Sequence, residues 1–497
     1  MIAAADFPRT AAGRTLLDRL AQLGVPLADI TADSRAVKLG AIFVAYPGTY
    51  QDGRAFIPEA IARGAAAVIW ERRGFEWEER WEIPNLGIEG LRERVSEIAG
   101  SIFGNPSESL WMVGVTGTNG KTSVSQWIAA ACESLGRRSA VLGTLGNGLV
   151  GERVEARNTT PDAIVLQRLL ADYLRRGARV ASMEVSSHGL DQARVAGIKY
   201  DVAIFTNLTR DHLDYHRTMD AYAEAKYRLF SARGLKSAIL NIDDEWGARF
   251  AARLASAGGN VVTFGTVPGA RLAASRVALT ESGVAFHVES EWGSGVVAAP
   301  VLGAFNVSNL LAVVGALIAT GFTFDEAVRA VSTLRPVPGR LERLGGGAQP
   351  VVVIDYAHTP DALEKALEAL RPLVSPGQRL ICVFGCGGDR DPGKRSIMGS
   401  TAARLADHVI VTSDNPRSEE PRKIIDQVLE GIPDHKAEAH EDRQVAIFSA
   451  VHQARLGDIV LLAGKGHETY QEISGTRIPF SDSDVARSAL AEWEPAA

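Results

Sequence analysis

The run Gly114-Val115-Thr116-Gly117-Thr118-Asn119-Gly120-Lys121-Thr122-Ser123 constrains this chain more than any other segment. The apolar stretch Trp111–Thr116 reads as a strand and 123–133 carries helical periodicity, so the glycines fall at a strand-to-helix turn. Backbone N–H groups and a helix N-terminus converge there on a point that favours an anion. Gly117, Thr118, Asn119, Gly120 and Ser123 then belong to an ATP-phosphate cradle, Lys121 reaches the outer phosphates, and the Thr122 hydroxyl suits Mg²⁺. The usual form of such a loop has Gly six residues before the Lys. Val115 occupies that position, with glycines at 114, 117 and 120, so the loop is a variant. A glycine-rich turn carrying a surface lysine is the plainer alternative.

A chain of 497 residues exceeds one core, and about three domains are expected. Pro/Gly-rich breaks at 104–107 and 335–340 divide it into 1–107, 108–337 and 338–497. In the middle part, strand-like runs at Trp111–Thr116, 179–185, 201–206, 237–242 and 261–264 alternate with helices starting near Lys121, Asp162 and Met219. The last part repeats this with Val351–Asp355, Leu380–Phe384, His408–Thr412 and Ile459–Ala463. The first part shows strands at 41–45 and 66–70 around a helix at 57–63. The expected class is α/β, with mostly parallel sheets covered by helices.

Bulk properties exclude several functions. Net charge of -6 argues against a general nucleic-acid binder. Three cysteines fit a reducing compartment, and Cys382 and Cys386 lack partners at zinc-site spacing. No secretory leader opens the sequence, and the apolar stretch 310–319 is about half the ~20 residues that span a bilayer. A cytoplasmic protein without integral membrane contact is expected.

Glu184 follows the strand at 179–185, and His212 follows the strand at 201–206. Ligands of open α/β sheets gather at carboxyl edges, so a carboxylate and a His at adjacent strand ends are candidates for a magnesium site, although each alone reads as a structural hydrogen-bonder. Lys226, in Ala223-Glu224-Ala225-Lys226-Tyr227, reads from spacing alone as a solvated helix lysine.

Gly-Thr-Asn-Gly-Lys-Thr at 117–122 resembles the signature of the Mur ligase family and its folylpolyglutamate synthase relatives. These enzymes join amino acids to a carboxylate through an acyl phosphate. The likeness extends from Asp33-Ser34-Arg35 to Gly464-Lys465-Gly466-His467-Glu468. It implies a central P-loop ATPase domain, an N-terminal α/β UDP-binding domain and a C-terminal Rossmann-like domain. It further implies Lys121, Glu184, His212 and Lys226 as catalytic residues, with Thr122, Glu184, His212 and a carbamylated Lys226 at magnesium. A desolvated lysine has a lowered pKa, and its neutral amine can add CO₂.

Asp355 and His358 in Asp-Tyr-Ala-His, Asn306 and Arg340 resemble the family's nucleotide contacts; read alone, Asn306 is equally a helix cap and Arg340 a linker residue. Ala32, Ser34, Thr49, Tyr50, Gln51, Asn158, Thr159, Thr160, Ser186, Gln192 and Arg194 are implied at a UDP-N-acetylmuramoyl dipeptide. The family often has His-Gln after the first-domain glycine, whereas this chain reads Gly48-Thr49-Tyr50-Gln51. Asp414-Asn415-Pro416-Arg417 resembles the recognition motif for meso-diaminopimelate, joined by Arg390, Gly464 and Glu468. Diaminopimelate carries a distal carboxylate that lysine lacks, and Arg grips carboxylates bidentately. A monomer acting on small molecules is the expectation. A lysine-adding relative, or a non-catalytic nucleotide-binding scaffold, is the rival.

Overall fold

The computed structural model describes residues 12–48, 51–156, 158–232, 234–280, 283–433 and 437–495. Thr49 and Tyr50 lie outside the described residues.

Three sheets organise the chain. The first has four parallel strands in sequence order, Ile30–Thr31, Ile42–Ala45, Ala67–Glu71 and Asn85–Ile88. Helix Leu91–Ile102 covers one face, where Leu91, Val95 and Ile98 join Ile42 and Ile69. Trp70, Phe75, Trp77 and Trp81 stack over the other. Both faces are covered, which is why Ile42–Ala45 is buried at every position instead of alternating.

The central sheet has eleven strands. Its order is Gly293–Ala299, Gly283–Ser290, Leu272–Thr280, Val261–Gly265, Ser237–Asn241, Val202–Phe205, Trp111–Thr116, Val180–Glu184, Ser139–Gly143, Gly146–Leu149 and Glu152–Val154. The inner strands, Leu272–Thr280 through Ser139–Gly143, are parallel, and two antiparallel strands extend each side. Helix Phe305–Ala319, which contains the apolar stretch 310–319, is buried on nearly all sides. One expectation is corrected. The ends carrying Glu184 and His212 are not on adjacent strands, because Trp111–Thr116 pairs with both Val180–Glu184 and Val202–Phe205. Parallel strands are joined by crossovers, so succession in sequence does not dictate adjacency in the sheet. The phosphate loop therefore lies between the two side chains.

The third sheet runs Glu342–Gly345, Val351–Asp355, Ile459–Ala463, Leu380–Phe384, His408–Thr412 and Ala437–His440, parallel except at its first pair. A buried Arg443–Asp482 pair at 2.7 Å, with Arg443 also donating to Ala463 O, fixes the end of the strand that leads into Gly464. The hairpin of Tyr470–Ile473 and Thr476–Pro479 follows, and Ile473 bridges to Arg417. The architecture is α/β with three parallel-strand units, and no described helix is long and apolar enough to cross a membrane.

Candidate functional site

The phosphate loop is stitched to the neighbouring strand's exit. Gly117 has φ 148, and a Cβ there would fall 1.9 Å from Thr206 Oγ1; at Gly120, φ 85, it would fall 2.5 Å from Asn309 Oδ1. Only glycine fits either position. Thr118 N–H donates to Asn207 O at 2.8 Å, Asn119 N–H to Asn207 Oδ1 at 2.9 Å, and Thr206 Oγ1 to Asn119 O at 2.6 Å. Helix Lys121–Ser134 then begins, with Thr122 and Ser123 buried in its first turn.

Lys121 curls back so that Nζ donates to Gly117 O (2.9 Å) and Thr118 O (2.8 Å). Lys226 Nζ reaches the same Gly117 carbonyl at 2.7 Å and lies 4.4 Å from the Tyr222 ring centroid. It is 1% exposed, so it is no solvated helix lysine. Burial, reinforced by the charge of Lys121, holds the Lys226 ammonium well below the usual lysine range. Burial also lowers Lys121, with Glu184 and Asp211 pulling the other way.

Glu184 is the last residue of its strand and 1% exposed. Its Oε2 accepts from Thr122 Oγ1 (2.9 Å) and Thr144 Oγ1 (3.1 Å), and Oε1 accepts from Thr144 N–H at 2.7 Å. Carboxylate and hydroxyl oxygens are the donors a magnesium ion prefers, so Glu184 and Thr122 fit one beside the loop. His212 stands apart from them. It has φ 54, its Nε2 is 3.3 Å from Asp211 Oδ2, and its ring meets His188 edge-on at 4.8 Å. Burial brings His212 down to about 4, leaving a neutral imidazole at pH 7. Of the expected metal set, Thr122 and Glu184 touch each other, while Lys226 and His212 lie on the loop's other flank. Among the described residues, no three His, Cys, Asp or Glu side chains form a ready-made metal cluster.

The third unit closes over this edge. Arg340 Nη2 donates to Thr122 Oγ1 at 3.1 Å and its guanidinium lies 4.5 Å from the Tyr356 ring centroid. Asp355 accepts from Leu341 N–H at 2.8 Å, and burial pushes its carboxyl up. His358 Nδ1 lies 2.9 Å from Tyr356 O, while burial and then Lys394 push its pKa down. Asn306 is not a helix cap: it is the second residue of helix Phe305–Ala319, whose N-cap is Ala304, and its buried side chain donates to Leu302 O at 2.7 Å and accepts from Asn309 Nδ2 at 2.8 Å.

On the second unit, polar side chains cluster beside Glu184. Thr160 Oγ1 donates to Glu184 O at 2.9 Å and accepts from Ser186 N–H at 3.0 Å. Arg194 donates to Thr160 O (2.8 Å) and to Gln192 Oε1 (2.6 Å). Thr159 Oγ1 is 3.1 Å from Thr144 Oγ1, and Asn158 is exposed. On the first unit, Ser34 Oγ donates to Glu59 at 2.7 Å, Ala32 is exposed, and the Gln51 carbonyl closes a turn with Gly48 N–H at 2.8 Å.

At the carboxyl edge of the third sheet, two distant segments meet. Asn415 Nδ2 donates to Glu468 Oε2 at 2.8 Å, while Asn415 Oδ1 accepts from Lys465 Nζ at 3.2 Å and Glu472 N–H at 2.9 Å. Asp414 approaches so closely that a Cβ on Gly464 (φ 111) would fall 2.5 Å from its Oδ2. Pro416 is buried, and Arg417, at φ 52, donates to Gly388 O at 2.8 Å. Arg390 is exposed on the same side; a Cβ on Gly387 would lie 2.9 Å from Arg417 Nη1 and 3.8 Å from Arg390 Cγ.

Thr144, Asn207, Thr209, Asp211, Asp361, Lys394 and His467 also belong to this edge, and sequence reasoning assigned them no role. His467 stands inside a motif it quoted, Gly464-Lys465-Gly466-His467-Glu468; Thr144 carries no local signal. Cys132, Cys382 and Cys386 are buried, and burial pushes each thiol up to about 12.

Comparison with known proteins agrees with this geometry. Residues 27–101 match the family model described as Mur ligase family, catalytic domain, 115–317 match Mur ligase middle domain, and 339–466 match Mur ligase, glutamate ligase domain. A UDP-N-acetylmuramoyl-L-alanyl-D-glutamate–2,6-diaminopimelate ligase of Chromobacterium violaceum is 50% identical over 475 residues, covering 95% of this chain and 96% of that one. Its namesake from Nitrosomonas europaea is 47% identical over 491 residues, covering 95% and 94%. A solved structure of a ligase with the same name superposes with TM-score 0.69 at 40% identity, covering 94% of this chain and 95% of that chain. The phosphate loop, the buried Glu184 and Lys226 beside it, and these matches along the chain lead to one conclusion: the chain belongs to the Mur ligase family.

Proposed function

We propose that this chain is an ATP-dependent ligase that adds meso-diaminopimelate to the D-glutamyl carboxylate of UDP-N-acetylmuramoyl-L-alanyl-D-glutamate, in cytoplasmic peptidoglycan precursor synthesis. The γ-phosphoryl group of ATP passes to the carboxylate, ADP leaves, and the amine then displaces phosphate to form the amide. Phosphoryl transfer between two anions is governed by positioning and charge neutralisation. In this reading the loop 117–123 and Lys121 hold the phosphates, with Arg340, Asp355, His358 and Asn306 around the rest of the nucleotide. Thr122 and Glu184 would hold Mg²⁺, with His212 on the loop's other flank, and the ion when bound would offset the charge of the phosphate oxygens. Lys226, whose pKa burial lowers, would add CO₂ through its free amine and release a proton, becoming an anionic carbamate suited to a second cation.

Residues 158–160, 186 and 192–194, together with Ala32, Ser34, Thr49, Tyr50 and Gln51, take the UDP-muramoyl dipeptide. Arg390 and Arg417 take the distal carboxylate of diaminopimelate, with Asp414, Gly464 and Glu468 facing its ammonium end. We read the domain limits as 1–107, 108–337 and 338–497, and the active unit as a monomer.

The observation that carries this reading is the meeting of 414–417 with 464–468 through the Asn415–Glu468 hydrogen bond at 2.8 Å. It is tested by phosphate release from ATP with the UDP-muramoyl dipeptide and meso-diaminopimelate, L-lysine or L-ornithine in turn. Diaminopimelate is expected to dominate; equal or better turnover with lysine would overturn the assignment. For Lys226, Lys226→Ala is expected to lose activity and regain part of it with added short carboxylates. Full activity without them would refute the carbamate.

A further inference from the structure

Asn119 sits in the middle of the phosphate loop, and its backbone is fully engaged within the central unit. Its N–H donates to Asn207 Oδ1, and its carbonyl accepts from Thr206 Oγ1 and Asn207 Nδ2. Only the side-chain amide remains, and it reaches across to the third unit. Nδ2 donates to Asp361 Oδ2 of the third unit at 2.8 Å. The same Oδ2 accepts from Thr209 Oγ1 at 3.2 Å. Thr209 in turn clasps the loop a second time, its N–H donating to Thr118 Oγ1 at 3.0 Å.

Asp361 lies in the first turn of helix Pro360–Leu370, just beyond Asp355 and His358. Lys365, one turn further, donates to it at 3.1 Å and holds the carboxylate toward the loop. A carboxylate next to a triphosphate cradle is electrostatically unfavourable for nucleotide binding, and an amide could supply the same acceptor. The charged group makes sense where a strong bond between separately folding units is needed, since hydrogen bonds to an ionised acceptor are roughly twice as strong as neutral ones.

We propose that Asp361 is a positioning residue that couples docking of the third unit to the shape of the phosphate loop and of the 206–212 segment. The Asp361 carboxylate is engaged by side chains of the chain itself, Asn119, Thr209 and Lys365. It makes the productive loop geometry conditional on the unit that carries 414–417 and 464–468. The benefit rests on the ligase reading above: ATP is committed only when the amine pocket is in place. The mechanical coupling does not depend on that reading.

Asp361→Ala and Asp361→Asn in the full chain test the coupling in two ways. Amide hydrogen exchange at Thr118, Asn119 and Thr209 is expected to speed up in both variants, more in Asp361→Ala, while strand Leu380–Phe384 keeps its protection. The kcat for phosphate release is expected to fall about tenfold, in the usual range of coupling between sites, with KM for ATP within about twofold, since positioning rather than nucleotide contact is lost. Thr209→Val, which removes one bond, is expected to give a smaller loss that does not add to that of Asp361→Ala. Unchanged exchange at Thr118 and Asn119, or additive losses, would overturn the coupling. A wild-type protein that releases no phosphate with the UDP-muramoyl dipeptide and diaminopimelate would sink the ligase reading instead, leaving the exchange result to decide on Asp361.

Discussion

The phosphate loop and the 414–417/464–468 pocket occupy equivalent carboxyl edges of two parallel sheets, yet they hold their cations differently. Around the loop, Lys121, Lys226 and Arg340 rest on carbonyl and hydroxyl oxygens, with no carboxylate ion pair among the described residues. In the pocket, Lys465 pairs with Glu468 at 3.0 Å, Arg417 faces Glu472 at 3.7 Å, and buried Arg395 is clamped by Glu419 at 2.8 Å. Partly buried cations without counter-charges, here Lys121 and Arg340, have given up some hydration and gain most from a polyanion. A charge-balanced pocket gains little from net charge and discriminates by where each charge sits, which suits a zwitterionic amino acid. One region is built for strength of attraction, the other for placement.

The sharpest way to break this contrast is Lys121→Ala. It is expected to lower phosphate release on the order of 10³-fold, by analogy with removal of one preorganised charge-stabilising donor; activity above a tenth of wild type would refute the assigned strength. Arg417→Ala comes next. KM for diaminopimelate is expected to rise roughly 30- to 100-fold, as for a charge deleted from a hydrogen-bonded pair, while KM for ATP stays within about twofold; a matching rise for ATP would dissolve the distinction between the regions.

A smaller effect concerns stability. Lys226 has a depressed pKa in the folded state, so between that pKa and about 10.5 the unfolded chain binds the extra proton and stability rises with pH. Lys226→Met, melted in carbonate-free buffer, is expected to raise Tm by about 2–4 °C at pH 7 and to flatten this rise while abolishing activity. A lowered Tm would mean that the Gly117 carbonyl already compensates the buried amine.

The smallest effect belongs to His467, brought down to about 4 by burial first and Arg340 second. Its folded form resists protonation between about 4 and the ordinary histidine value near 6.5, so stability falls as pH drops through that window. His467→Asn is expected to reduce the slope of Tm against pH there, and an unchanged slope would remove His467 from the acid response.

Much of this molecule was legible before any coordinates. The strands Trp111–Thr116, Val351–Asp355, Leu380–Phe384, His408–Thr412 and Ile459–Ala463 are all apolar runs closed by turn residues, and each is a strand over those residues. The antiparallel extensions at Leu272–Ala299 were not legible, since alternating small and exposed residues there leave no strong apolar period. Thr144 was missed for a related reason: its role comes from facing Glu184 across the sheet, which no local pattern records.

Local sequence was enough for the phosphate loop, because its glycines answer to backbone geometry within ten residues, and enough for the family, because 114–123 and 414–417 are contiguous motifs. Folding in three dimensions decided the rest. It placed the loop's strand between those of Glu184 and His212. It brought Asp361 over Asn119 and joined Asn415 to Glu468. It also buried Lys226, turning a helix lysine that reads as solvated into an amine with a lowered pKa. Desolvation and charge proximity depend on what packs around a group, and those neighbours here come from strands and helices far apart in the chain.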